Sequence, residues 1–185
     1  MTNAAPTTLE AAFAAFDSAN ATDPRTLRVR GVDRPFALGE AELATAWLAV
    51  MAPDAAESLR LAVRAHHLRR FETPRVTYPQ GRAGYLRWRK HLYDVASGHA
   101  AAILRDVGYD EDTVARVVQL MHKRDLQRDA DAQTYEDVLC LVFLESQFGE
   151  FAARMDGEKL ENIVAKTLAK MSDVATAAWA TFQQL

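Results

Sequence analysis

The run VLCLVFLE at 138–145 is apolar on every side of a helix except at its last residue. A helix at a protein surface keeps one apolar stripe and one polar face, so a helix apolar all round is one enclosed by other elements. The pattern predicts a buried central helix around 131–150, opening near Asp131 and passing on to Phe148 and Phe151. Composition says what encloses it. The 185 residues include 34 Ala but only 8 Gly and 6 Pro. Alanine is the best helix former, whereas an all-β chain needs glycine and proline at every turn. The expected fold is therefore all-α: one multi-helix bundle over 1–185, with about seven or eight helices read from apolar spacing and caps.

The punctuation agrees. Leu9, Phe13 and Phe16 mark a first helix over Thr8 to Asn20, with Thr7 and Glu10 at capping-box spacing. A short β-like piece, Leu27 to Val32, follows. A second helix is expected from about Glu40 to Met51 and a third from Pro53-Asp54 to about Arg69. Residues 71–82, with two prolines and a glycine, read as loop before a long helix from about Ala83 to Val107 that Gly108 stops. Asp110, Glu111 and Asp112 open another helix ending near His122, since acids suit the positive end of a helix dipole. Two more, about Gly157–Met171 and Ser172–Gln184, follow the central one. No apolar stretch approaches the roughly 20 residues of a membrane span, and MTNAAPTTLE lacks the basic and apolar regions of a signal peptide. The lone Cys140 makes an internal disulfide impossible. These features set the expectation of a soluble, cytoplasmic chain with no membrane partner.

The formal net charge of −3 conceals a sharp asymmetry. Between Arg64 and Lys90 lie eight bases (Arg64, Arg69, Arg70, Arg75, Arg82, Arg87, Arg89 and Lys90) and one acid, Glu72, so that segment carries +7. The remaining 14 bases and 24 acids give −10. Guanidinium groups match phosphate and carboxylate oxygens in pairs and stack on rings. One reading is an anion pocket at the 71–82 loop, where Arg70, Arg75, Arg82, Arg89 and Tyr78 take a phosphorylated or carboxylated small molecule or nucleotide. A second is a non-enzymatic scaffold whose arginines pair internally with Glu136, Asp137 and Glu145, because buried carboxylates need partners. A third is single-stranded RNA stacked on Tyr78, Tyr85 and Trp88, against which stands a pI near 6.0.

The five histidines are His66, His67, His91, His99 and His122, and none sits in a two-histidine zinc motif. A divalent metal would need ligands from separate helices: His67, His122 and Glu136 or Asp137, an imidazole–carboxylate set suited to Zn, Mn or Fe. His66 and His67 are adjacent, so on a helix they point about 100° apart and do not share an ion. Without a metal, His67 with Glu136 or Asp137 serves as a general base. Cys140, one turn after Asp137, reads as a small core residue. HHLR at 66–69 and KMSD at 170–173 echo two class I aminoacyl-tRNA synthetase signatures, but the helical chain between them excludes that activity.

Three motifs, HLRRFETPR (67–75), YPQGRAGYLRWRK (78–90) and QTYEDVLCLVFLE (133–145), closely resemble an uncharacterised, mostly bacterial family, domain of unknown function 4202, over about residues 10–171. That resemblance implies no established activity. More distantly, the chain is similar to the all-α HD-domain metal-dependent phosphohydrolases. The third helix, ending in His67, resembles the one carrying their His-Asp pair, and Asp137 sits like their last aspartate with His122 before it. This implies an HD-like bundle and a divergent phosphohydrolase or nucleotide sensor, with His67, Glu136 and Asp137 catalytic. Any metal would rest on His67, His122 and Asp137. Leu68 stands where that family has its aspartate, and the second helix has no histidine, so two of the four usual ligands are absent.

Overall fold

The first helix, α1 (Thr8–Asn20), forms behind the expected capping box: Thr7 Oγ1 accepts from the Glu10 amide and Glu10 Oε2 accepts from the Thr7 amide at 2.7 Å. The computed structural model describes residues 7–126, 128–148 and 157–184. Phe151 and positions 149–150, assigned above to the end of the central helix, lie outside the described residues.

After α1 the expected β-like piece is a hairpin, β1 (Thr26–Val29) and β2 (Val32–Pro35), paired antiparallel with Thr26 opposite Pro35 and Val29 opposite Val32. The turn residues Arg30 and Gly31 have φ of 46° and 91°, as a two-residue hairpin turn requires. α2 (Phe36–Met51) starts four residues before the predicted Glu40, because Asp23 Oδ2 accepts from the Ala37 amide and caps the first turn from outside the helix. α3 (Glu57–Arg64) is shorter than predicted at both ends. Residues 52–55 form a turn, with Ala55 N–H bonded to the Ala52 carbonyl. Beyond Arg64 the chain runs in tight turns to Arg69, whose φ is 54° and whose amide donates to Asn20 Oδ1 at 3.0 Å.

Two short 3₁₀ turns (Arg70–Glu72, Arg75–Thr77) occupy the predicted loop and lead into α4 (Gly81–Asp106). Gly108, at φ 96°, ends that segment as expected. Asp110 caps α5 (Glu111–Met121) by accepting from the Thr113 amide, and Asp129 caps α6 (Ala130–Ser146). α7 (Gly157–Leu168) and α8 (Asp173–Phe182, capped by Ser172) complete the described chain. Among the described residues the protein is an all-α multi-helix domain with a single small hairpin, and no helix is long and apolar enough to cross a membrane.

The apolar run sits in α6 as predicted. Tyr135, Val138, Leu141 and Val142 are buried with Phe16 of α1, Leu43 and Trp47 of α2, Leu59 and Leu61 of α3, Leu104 of α4 and Leu120 of α5. α8 closes one side, stacking Phe182 edge-on against Trp47 at 5.2 Å. Trp47 Nε1 and Arg30 both donate to Glu145, so Glu145 pairs with the hairpin and not with the 64–90 arginines.

Two glycines of α4 have opposite requirements. A Cβ on buried Gly84 would lie 1.9 Å from the Pro79 carbonyl oxygen, because the loop folds back on the first turns of α4, whereas one on exposed Gly98 would meet nothing within 4 Å. Gly84→Ala is expected to cost about 1–3 kcal/mol through this clash. Gly98→Ala should stabilise by about 0.5–1 kcal/mol through the helix preference for alanine. Urea unfolding midpoints of the two variants check both signs.

Candidate functional site

Glu40 lies on the face of α2 that Ala37, Ala41, Ala44 and Leu48 turn into the core, and it is only 1% exposed. A carboxylate there needs donors on both oxygens. Gln147, just past the end of α6, donates Nε2–H to Oε1 at 2.6 Å, and His67 Nδ1 lies 2.7 Å from Oε2. His67 Nε2 in turn faces Arg70 Nη1 at 2.8 Å. A guanidinium has donors only, so Nε2 carries the lone pair and Nδ1 the proton donated to Glu40. The order is therefore Glu40 carboxylate, neutral His67, Arg70 cation. Burial raises the Glu40 carboxyl above its ordinary range, opposed by the cationic neighbours and the Gln147 donor. Burial also holds His67 well below 6.5, and Arg70 reinforces this.

His66 is 4% exposed and its ring lies 4.3 Å from that of His67. Its Nδ1 is 2.9 Å from the Val63 carbonyl, which only accepts, so Nε2 is unprotonated; among the described residues this buried nitrogen has no partner. Burial pushes its pKa down to about 3. The histidines were expected to diverge on one helix. The end of α3 at Arg64 overturns that, since both lie in the following turns and their rings come together.

These groups form the buried end of a cavity of about 400 Å³. α4 lines it with Tyr85, Trp88, Arg89, Leu92, Tyr93 and Ala96; α6 with Glu136, Leu139, Cys140 and Phe143; and α7 with Ile163 and Thr167. Arg89 Nη2 donates to the Tyr93 hydroxyl at 2.8 Å, and its guanidinium lies near the Tyr85 and Tyr93 rings. Arg70 stands 5.1 Å over the Trp88 ring. Burial would raise the Tyr93 phenol, but Lys123 and Arg89 together bring it below its usual value. Glu136 is held by Lys123 and, at 3.7 Å, by Lys170. Burial and Glu136 raise the Cys140 thiol to about 12, which keeps it protonated and unreactive.

Of the residues singled out from the sequence, the fold brings His66, His67, Arg70, Tyr85, Trp88, Arg89, Glu136 and Cys140 to this cavity. It places the others elsewhere. Asp137, next to Glu136 on α6, points away: Oδ1 accepts from Gln133 and the Ser172 amide, and Oδ2 from the Ser172 hydroxyl at 2.6 Å. His122 Nε2 meets Ser97 Oγ at 2.9 Å and lies 3.9 Å from Asp94. Arg75 donates to the carbonyls of Tyr78, Pro79 and Gly81, Arg82 is exposed, and the Tyr78 ring lies beside His91 at 6.1 Å. The fold thus holds His122 and Asp137 on partners of their own, outside the lining of the cavity that His67 enters.

Ligand atoms of Glu40, His66 and His67 do converge, all within 4.8 Å of one another. They do not fit a metal as arranged, because Glu40 and Arg70 occupy both nitrogens of His67 and four cations, Arg70, Lys123, Arg25 and Arg89, already act on that ring. Sequence reading missed Glu40, Tyr93, Lys123, Lys170 and Gln147. Only Glu40 carried a signal, as a lone acid on the apolar face of α2.

Compared with known proteins, residues 10–184 match the family model described as Domain of unknown function (DUF4202), and the chain belongs to that family. No curated protein and no solved structure matches it.

Asp137 fixes the residue that caps α8, so Asp137→Asn, which swaps one acceptor oxygen for a donor, is expected to cost about 1–3 kcal/mol. Chemical unfolding measures it. His66 gives a pH effect of defined sign. Its folded pKa of about 3 lies below the ordinary 6.5, so its contribution is present above pH 6.5 and is lost as pH falls below that value. Compared with His66→Leu, wild type should lose about 2 kcal/mol of relative stability between pH 7 and pH 5. Paired urea titrations at the two pH values check this.

Proposed function

We propose that this member of the DUF4202 family binds a small organic anion in the cavity between α4 and α6. The observation that carries the reading is how Arg70 and Arg89 are partnered. Among the described residues neither meets a carboxylate within ion-pair distance: Arg70 donates to a neutral imidazole and Arg89 to a phenol. A partly buried guanidinium without a counter-charge is costly, and an incoming anion relieves that cost. The lining holds four cations, Arg70, Arg89, Lys123 and Lys170, against two carboxylates, Glu40 and Glu136. Two positive charges remain in excess while the histidines are neutral.

The shape of the lining narrows the ligand. The guanidinium forks suit a phosphate or carboxylate group. Tyr85 and Trp88, with rings 5.9 Å apart, and apolar Leu92, Leu139 and Ile163 suit an aromatic or apolar body beside it. A phosphorylated ligand of nucleotide size satisfies both and is compatible with the volume. The reading is then a nucleotide sensor, or a divergent phosphohydrolase that works without the metal set of the HD-like enzymes.

Thermal unfolding with millimolar inorganic phosphate, phenyl phosphate and AMP tests it. Saturation at a hundred times the dissociation constant adds about 2.7 kcal/mol of stability, and Arg89→Met should abolish the increase. Without ligand the same variant should lose no more than about 1 kcal/mol, because Arg89 is held only by the Tyr93 hydroxyl and two ring faces and by no close carboxylate. If no probe raises Tm and Arg89→Met is destabilised by more than that, the arginines are structural and the scaffold reading stands instead.

A further inference from the structure

Resting on that anion-binding reading, we infer that His67 is a base held in reserve: Arg70 covers its lone pair, and an anion that takes Arg70 uncovers it. The geometry has three parts. Glu40 stands behind the imidazole at Nδ1, 2.7 Å away, and is itself fixed by Gln147 from the far end of α6. A carboxylate behind one ring nitrogen with a lone pair on the other is the arrangement of a general base. His67 and Arg70 both line the cavity, and Arg70 Nη1 occupies His67 Nε2 at 2.8 Å. Arg70 can take an anion, since its close partners are the Trp88 ring and one neutral nitrogen, and Glu40 attracts it from beyond ion-pair distance.

An oxyanion offers Arg70 two charge-assisted hydrogen bonds in place of the single bond to an imidazole. When the guanidinium moves to it, Nε2 loses a donor and a neighbouring positive charge together. The groups facing His67 are Glu40 from α2, His66 beside it, Arg25 before β1, Arg89 from α4 and Lys123 after α5. Burial first, and then the cations Arg70, Lys123, Arg25 and Arg89, keep the ring unprotonated against the negative charge of Glu40 and, elsewhere in the lining, Glu136; an anion that draws Arg70 away removes the leading cation and adds negative charge. With a doubly charged oxyanion bound, Nε2 takes one proton from solvent. The imidazolium formed lies between the Glu40 carboxylate and the bound anion; one N–H bond forms as the buffer acid gives up its proton, and no bond within the ligand changes. The binding event thereby places a protonated donor, or after its release a base, beside the ligand's oxygens. The ligand class it selects is a dianion such as a phosphomonoester over a monoanion of similar shape.

The test uses sulfate and phenyl sulfate, which do not titrate near pH 7, in calorimetric titrations of the full chain. Two buffers of different ionisation enthalpy separate the proton from the binding heat. Sulfate is expected to bind with proton uptake approaching one per site, seen as a buffer-dependent heat. The 15N spectrum of the five imidazoles should show one Nε2 resonance passing from the unprotonated to the protonated position. In His67→Gln sulfate should still bind, with the buffer dependence gone. In Arg89→Met its affinity should fall at least about tenfold, a loss of about 1.4 kcal/mol. Should His67→Gln not fold, the wild-type nitrogen spectrum decides alone. Sulfate binding with no buffer dependence and unchanged imidazole resonances overturns the covered base and leaves the anion site standing. If neither sulfate nor phenyl sulfate binds, the anion site falls and the covered base with it.

Discussion

The arrangement of the cavity depends on one carboxylate placed where water does not reach. Glu40 must satisfy two oxygens inside the core, and its partners come from 27 and 107 residues further along the chain. His67 and Gln147 thereby tie the start of α2, the turn after α3 and the end of α6 to one point. Removing either partner leaves part of a buried carboxylate unmatched, which costs more than any exposed ion pair contributes. The link also explains where α6 stops. Gln147 leaves the helical conformation, at φ −120° and ψ −20°, and its amide reaches Glu40.

The same demand shapes the segment after α3. Had the helix continued to Arg69, His66 and His67 would have pointed about 100° apart. Ending α3 at Arg64 lets the chain turn, with Leu68 packed into the core and the two imidazoles in contact. The turn closes at Arg69, a non-glycine residue in the left-handed region, a conformation that costs about 1 kcal/mol. Asn20 at the end of α1 offsets this by accepting the Arg69 amide. Strained backbone thus sits next to Arg70, at the residue that determines where its guanidinium goes.

This division explains what could be read from the sequence. The order of helices, the capping box at Thr7, the Asp110 cap, the stop at Gly108 and the burial of α6 were all legible, because each follows from residues within a turn or two of one another. The hairpin was half legible: β1 fell in the β-like piece Leu27 to Val32, but that piece ran through the turn at Arg30-Gly31, and strand β2 has only Val32 and Pro35 as apolar residues. The site was less so. Asp137 and Glu136 are adjacent acids of α6, and it is the position of Ser172, 35 residues after Asp137, that makes Asp137 the anchor of the α8 cap while Glu136 lines the cavity. His67 was readable as a candidate; Glu40 stood out only as an acid on an apolar helix face, and nothing local joins the two.

The basic segment acquires its meaning by comparison with the other arginines of the molecule. Arg25 pairs with Asp23, Arg30 with Glu145, Arg64 with Asp17, and Arg116 with both Asp129 and Asp131. Wherever an arginine braces the fold in these places, the chain supplies a carboxylate. Glu136 and Glu145 lie within reach of the same helical layer, but they are matched to Lys123, Lys170 and Arg30. A purely structural network would have used them for Arg70 and Arg89. Instead these two guanidiniums line one cavity with an imidazole, a phenol and aromatic rings as partners, all of them neutral and all weaker acceptors than a carboxylate. Of the +7 of that segment, Arg70 and Arg89 enter the cavity without a carboxylate at ion-pair distance, and with Lys123 and Lys170 they outnumber Glu40 and Glu136 in its lining by two, the excess on which the proposed anion rests.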